Sequence, residues 1–278
     1  MKKLSILSLL FVLTFSFAAF GQNFSSDWQK VPTDFEGDDF NAVYHALLSS
    51  PVLKEKSEFE TTADYQKRIS ETSKIILGGN KSIANDFIFV YRPKSDSYEM
   101  REASQYDADK QVLNVNIKMH PVSATNPFNN SKTKNYFAVR SKDIAFDAES
   151  EYQASNAYGA VRTVTKNGGT NYSIAFNNYD DFKELKKRVY PAVINVPISL
   201  SSDKAMAVKN NLAFLYFGKL VSPFYTINTL NVKPTISRPK ETHLRDLILT
   251  ADVSEVWIFN NLTGEILAKI KPKSNAKK

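Results

Sequence analysis

The sequence predicts an α+β domain, with N-terminal helices packed on a mainly antiparallel, β-rich body. Two observations predict it. Apolar residues recur at helical spacing before residue 80, and from Asp86 the period changes to the alternation of strands. Helices come first and many strands follow, the order expected when helices cover one face of a sheet. No internal repeat occurs at a fixed period.

The first residues read as an export signal. Met1-Lys2-Lys3 is a short basic start, Leu4 to Phe20 carries no charge, and Ala19-Phe20-Gly21 supplies small residues before Gln22. An uncleaved anchor is the alternative, since the apolar run approaches spanning length; the small residues favour cleavage. No Cys follows, so a lipid anchor is not expected. The most apolar later stretch, "LAFLYFGKLV", is broken by Lys219, so no span is expected after cleavage. These features place residues 1–21 as a signal peptide, residues 22–270 as one domain with a possible sub-boundary at the polar "NNYDD" near 179, and residues 271–278 as a basic disordered tail.

Residues 22–37 read as an irregular lead-in. In "DDFNAVYHALLSS", Phe40, Val43, Tyr44 and Leu47 form one apolar helical face, and Ser49-Ser50-Pro51 ends the helix. "EFETTADYQKRI" opens a second helix of about four turns. Thr61 and Asp64 fit a capping box, Tyr65, Ile69, Thr72 and Ile76 share a face, and Gly78-Gly79-Asn80 stops it. Asp64 and Arg68 are spaced as an i, i+4 pair. Such a pair is weak alone, so Arg68 is expected to reach a carbonyl or carboxylate beyond its helix, and Phe59 to pack against the first turn or the sheet.

Strands follow. "FIFVYR" is apolar enough to be covered on both faces, "SYEMREA" comes next, and "QVLNVNIKM" alternates after the turn "YDADKQ". The polar stretch "HPVSATNPFNNSKTKN" reads as a loop before "YFAVRS" and "DIAFDAESEYQ". "AVRTVTK" and "NYSIAF" bracket Asn167-Gly168-Gly169, a hairpin-turn signal. Asp180 to Val189 reads as a short helix, and "AVINVPISL" as a strand that Pro197 places at an edge. "SSDKAMAVKNN" is a helix that begins at Ser. It leads into the strand "LAFLYFG", and "EVWIFN" and "EILAKI" form a closing hairpin.

The "EFETTADYQKR" start, "YDADKQVLNVNI", "YQASNAYGAVRTVTK" and "EVWIFNNLTGEIL" together resemble uncharacterised exported bacterial proteins. Those share a Phe-Glu-Thr helix start and a β-rich body with an Asn-aromatic-Gly turn. The resemblance implies a bacterial envelope setting and carries no activity or catalytic residue.

Composition narrows the chemistry. There is no Cys, which removes thiol nucleophiles, disulfides and Cys-based metal centres. The net charge of +7 is local. Without Lys2 and Lys3 the 36 basic residues become 34, and without the five Lys of "KIKPKSNAKK" they equal the 29 acidic ones. A nucleic-acid binder carries its basic stripe on the folded body, so none is expected. His45, His120 and His243 lack metal-ligand spacing, no nucleophile elbow or phosphate loop occurs, and no cofactor is expected. Asp38-Asp39, Asp180-Asp181 and Glu149-Glu151 are the carboxylate pairs a glycosidase-type hydrolase could use. Acids at helix starts and on a strand's solvated face explain them equally well.

The sequence therefore favours a periplasmic or secreted protein that binds or scaffolds without catalysis over a carboxylate hydrolase of the envelope. Its partner is expected to be an envelope protein, a glycan or an anionic polymer. The candidate surface is the turn in "YQASNAYGA", where Asn156 and Gly159 present Tyr152 and Tyr158, together with Arg68. If Gly21-Gln22 is the cleavage point, intact-mass analysis of exported protein will show a chain beginning at Gln22; retention of residues 1–21 would replace cleavage with anchoring.

Overall fold

A computed structural model describes residues 24–54, 56–77, 81–94, 100, 103–125, 133–182, 185–186 and 192–273. Among them 53% lie in strands and 16% in helical turns, so the protein is mainly β and the helix-packed α+β layering is corrected. The described α-helices are short: α1 (Phe40–Ser49), α2 (Thr62–Ser70) and α3 (Ser202–Val208). They are too small to cover a sheet face. What covers the sheet is chiefly the sheet itself.

Eleven strands form one sheet: β1 (Asp86–Tyr91), β2 (Ser104–Asp107), β3 (Val112–Thr125), β4 (Thr133–Phe146), β5 (Ser150–Ser155), β6 (Val161–Phe176), β7 (Leu185–Lys186), β8 (Ala192–Ser199), β9 (Leu212–Val232), β10 (Lys240–Asn260) and β11 (Ile266–Ile270). Their order is β1-β9-β10-β6-β4-β3-β8-β7, with β11 beside β10, β2 beside β3 and β5 beside β6. Every pairing is antiparallel except β6 with β10. The sheet curls, because β3 approaches β9 and β1 approaches β4 although other strands separate them in order.

The main core fills the curl. Leu113, Val115, Ile117 and Met119 of β3 point into it, with Ile194 and Ile198 of β8, Phe214 and Tyr216 of β9, and the predicted stripe Phe40, Val43, Tyr44 and Leu47 of α1. Helix α1 starts where expected because Asp39 Oδ1 accepts from Ala42 N at 2.9 Å. The same core includes Phe176 and Ile194, on either side of residue 179. The opposite face of β1, β9 and β10 is covered by the lead-in: Val31 and Phe35 pack on Ile88, Leu215, Trp257 and Phe259. Lys269 of β11 lies 3.8 Å from the Trp257 ring and donates to Ser26 O at 2.6 Å.

Several local readings change. Asn167-Gly168-Gly169 is not a turn but the middle of β6, which runs unbroken past both β4 and β10. The glycines serve close approach: a Cβ on Gly168 would lie 2.5 Å from Asp147 Oδ2 and 2.6 Å from His243 O. The hairpin is instead the β5–β6 connection at residues 156–160. The supposed loop after Met119 is shorter, since 120–125 extends β3 and 133–138 begins β4; residues 126–132 lie outside the described residues. Of the expected helix at 180–189, Tyr179–Asp181 is a 3-10 turn and Leu185–Lys186 is β7, while residues 183–184 and 187–189 lie outside the described residues.

Helix α2 is only nine residues long. A separate 3-10 turn, Thr72–Lys74, follows, and Ile76 is exposed in a bridge to Ser82. Residues 78–80, 95–99 and 101–102 (most of "SYEMREA"), the signal segment and residues 274–278 lie outside the described residues. Of the tail, Lys273 N donates to Asp181 O at 2.8 Å. Among the described residues no helix is long and apolar enough to cross a membrane.

Candidate functional site

A cavity of about 370 Å³ opens off the main core where the curl brings β3 opposite β9. Its apolar walls are Tyr91 of β1, Ala103 just before β2, Ile117 and Met119 of β3, and Phe214 and Tyr216 of β9. Tyr91 and Phe214 stack with ring centroids 6.3 Å apart. Its polar lining comes from Asn116, Lys118 and His120 of β3, Arg140 of β4 and Asn171 of β6.

One polar atom at this wall is left over. Asn171 Oδ1 is buried and accepts no hydrogen bond among the described residues. Tyr216 is buried beside it. Burial, and then the nearby Tyr91, push the Tyr216 phenol well above its ordinary pKa. A buried acceptor without a partner costs about 1–3 kcal/mol, so a wall that keeps one is suited to a guest that supplies the donor.

His120, Ser173 and Asp246 meet beside the cavity. His120 Nε2 lies 3.2 Å from Asp246 Oδ2 and 3.3 Å from Ser173 Oγ, while Ser173 Oγ donates to Asp246 Oδ1 at 2.6 Å. A hydrolytic triad needs the acid on one ring nitrogen and the nucleophile on the other. Here a single nitrogen faces both groups, the serine proton is held by the aspartate, and Ser173 is 0% exposed. The cluster is a closed polar lock between β3, β6 and β10. Sequence reading missed it because its members lie 53 and 73 positions apart, with no motif to join them.

The carboxylate pairs do not line this cavity. Asp38 and Asp39 line a neighbouring recess of about 350 Å³ with Glu36, Asp143, Arg92 and Lys142. Asp38 is paired with Lys81 at 2.7 Å and accepts from Ile88 N at 2.7 Å. Asp39 caps α1, and the Ala42 N–H, with Lys142 further off, holds its carboxyl below the usual range. A general acid requires the opposite shift. Glu149 and Glu151 are exposed at β5, and Asp180 and Asp181 sit in the 3-10 turn. Among the described residues no group of three or more His, Asp or Glu is placed to hold a metal.

The predicted surface residues fall in two places. Asn156 and Gly159 form the β5–β6 turn: Asn156 Oδ1 accepts from Tyr158 N at 3.0 Å and Ala160 N at 2.9 Å, and Gly159 takes φ +77°. Tyr158 projects from it, 95% exposed. Tyr152 lies on β5 and donates to Glu241 Oε2 at 2.6 Å. Arg68 is elsewhere, on α2. It grips Glu60 with Nε at 2.8 Å and Nη2 at 2.7 Å, and its Nη1 donates to Val52 O at 2.7 Å, Lys54 O at 3.0 Å and Pro51 O at 3.1 Å.

Asp64 does not pair with Arg68, because it accepts from the Thr61 hydroxyl at 2.7 Å while Thr61 Oγ1 caps Asp64 N at 3.1 Å. Phe59, expected to be packed, is 90% exposed. No family model matches the chain, and no curated protein or solved structure matches it.

These contacts reorder the expected effects of substitution in this stretch. Arg68→Ala removes the bidentate grip and the link to three carbonyls, and lowers the melting temperature most. Thr61→Ala costs about 1 kcal/mol, as caps do. Phe59→Ala changes stability within about ±0.5 kcal/mol. Thermal unfolding of the three variants checks the order; a large loss from Phe59→Ala contradicts it.

Proposed function

We propose that this chain is a non-catalytic binding protein of the bacterial envelope, exported by its N-terminal segment, that holds a small molecule in the cavity between β3 and β9. The observation that carries the reading is the orphaned Asn171 Oδ1 at the wall of an otherwise largely apolar cavity. The volume lies in the range of small-molecule sites, and an apolar lining with a few convergent polar groups is the pattern such sites share. The closed geometry at Ser173 and the structural duties of Asp38 and Asp39 support binding over hydrolysis. The exposed Tyr158, on a turn fixed by Asn156, supports a further contact with an envelope protein or glycan through this hairpin.

Titration with the neutral fluorophore N-phenyl-1-naphthylamine tests the cavity. Saturable one-to-one binding is expected, with the Met119 methyl resonance shifting on titration and binding lost in Ala103→Leu, which fills the cavity. Non-saturable binding, or an unmoved Met119 resonance, contradicts the reading.

A further inference from the structure

We infer that the end of the sheet formed by the β5–β6 and β9–β10 turns docks on an anionic lipid bilayer: Tyr158 enters the headgroup layer, and Arg162, Lys233, Arg238 and Lys240 meet the lipid phosphates behind it. The inference rests on the envelope setting proposed above and not on the cavity. With the second turn counted in, the chemistry favours lipid over the protein or glycan that Tyr158 alone would suit.

Topology brings the two turns together. β6 and β10 are paired in parallel, with Lys240 opposite Thr165, and Thr165 N donates to Pro239 O at 3.1 Å. The two strands therefore begin at the same end of the sheet, and the turn before each, 156–160 and 233–239, projects from that end. Both turns are held by their own hydrogen bonds. Asn156 N donates to Ala160 O at 3.1 Å, and Thr235 N donates to Arg238 O at 2.9 Å while Arg238 N donates to Thr235 Oγ1 at 3.0 Å.

The folded body is neutral as a whole, but its charge is not spread evenly. Residues 152–166 and 225–240 contain Arg162, Lys166, Lys233, Arg238 and Lys240 and no Asp or Glu. All five cations are exposed. The acids at the base of this end are Glu151, opposite Thr165, and Glu241, opposite Lys166. Five cations less these two acids still leave +3. Such a pole is attracted to an anionic surface, each basic residue adding to the attraction.

The order of groups along the sheet favours a bilayer over a soluble polyanion. The outermost segment, Gln153 to Val161, carries no charge. Tyr158 is 95% exposed at its tip, with Val161 53% and Ile236 50% exposed. Val161 lies four residues beyond Thr165, so at about 3.3 Å per residue the β5–β6 tip leads the start of β10 by roughly 13 Å. A polyanion is best met by cations placed foremost. Here apolar and aromatic groups lead and the cations follow, as a surface must be arranged to reach past phosphates toward acyl carbon.

The test is flotation of the exported protein with vesicles of phosphatidylcholine alone and of equal parts phosphatidylcholine and phosphatidylglycerol. Binding is expected to be about a hundredfold tighter on the anionic vesicles and to weaken as salt screens it. The Arg162→Gln/Lys233→Gln/Arg238→Gln variant should lose most of that preference. Lys233→Gln alone should lose about fivefold, which keeps the test open if the triple variant does not fold. In Tyr158→Trp, the tryptophan emission added to that of the unaltered protein should shift to the blue on anionic vesicles. Equal binding to both vesicles overturns the anionic assignment, and absence of binding overturns the bilayer and leaves the hairpin to a protein or glycan. A preference that survives the triple substitution assigns adhesion to the C-terminal lysines and overturns the role of this end. An unshifted Tyr158→Trp emission overturns entry of the tip. Complete release by soluble polyphosphate at equal phosphate concentration assigns the pole to an anionic polymer and overturns the bilayer. None of these outcomes bears on dye binding in the cavity, so the two readings fail separately.

Discussion

The pairing of β9 with β10 is the interaction on which the rest of the structure depends. Each strand is 21 residues long, and each holds other strands on its far edge: β1 on β9, and β6 and β11 on β10. Val256, Trp257, Ile258 and Phe259 are all buried. That is possible for consecutive strand residues only if both faces are covered. Val256 and Ile258 face the main core, while Trp257 and Phe259 meet the lead-in segment. Apolar burial on two faces of one strand is a large stabilising contribution at about 25 cal/mol per Å².

The same hairpin sets the shape that makes the cavity. Its register slips between Leu249 and Ala251 and again between Val253 and Glu255. Such bulges bend and over-twist a sheet. Opposite them Gly218 allows the backbone of Asp252 and Val253 to come closer than any side chain would permit. Bent there, the sheet turns β3 back toward β9, and the recess between them keeps Tyr216 and Asn171 away from water. The lock of His120, Ser173 and Asp246 ties β3 across β6 to β10 on the way round the curl. Fold and site are thus one construction.

Single elements were legible in the sequence while the mainly β fold class was not, and the limits have physical causes. Helix α1, the alternation of β3 and the closing hairpin could be read because each shows a clean period or turn over a short window. The far halves of β9 and β10 could not. Residues 221–232 mix Thr and Asn with apolar residues, 240–247 are mostly charged or polar, and both are mostly half-exposed, so they present no core pattern and are held as strands by their neighbours. Gly168 and Gly169 carried a turn's composition and a strand's conformation, because glycine also serves where backbones crowd. Phe59 shows the converse: an aromatic beside a cap need not be buried. The cavity left no sequence signal, since its lining is drawn from five strands that only the curl brings together.

Amide hydrogen exchange on the intact protein tests the central role of the β9–β10 pair most directly, because the slowest amides report the last elements to open. The slowest exchange is predicted for Val256–Phe259 and their partners Ala213–Tyr216, with faster exchange in the half-exposed far ends, 226–232 and 240–246. Slowest exchange in β3 and β8 instead, with β9 and β10 opening first, would contradict it.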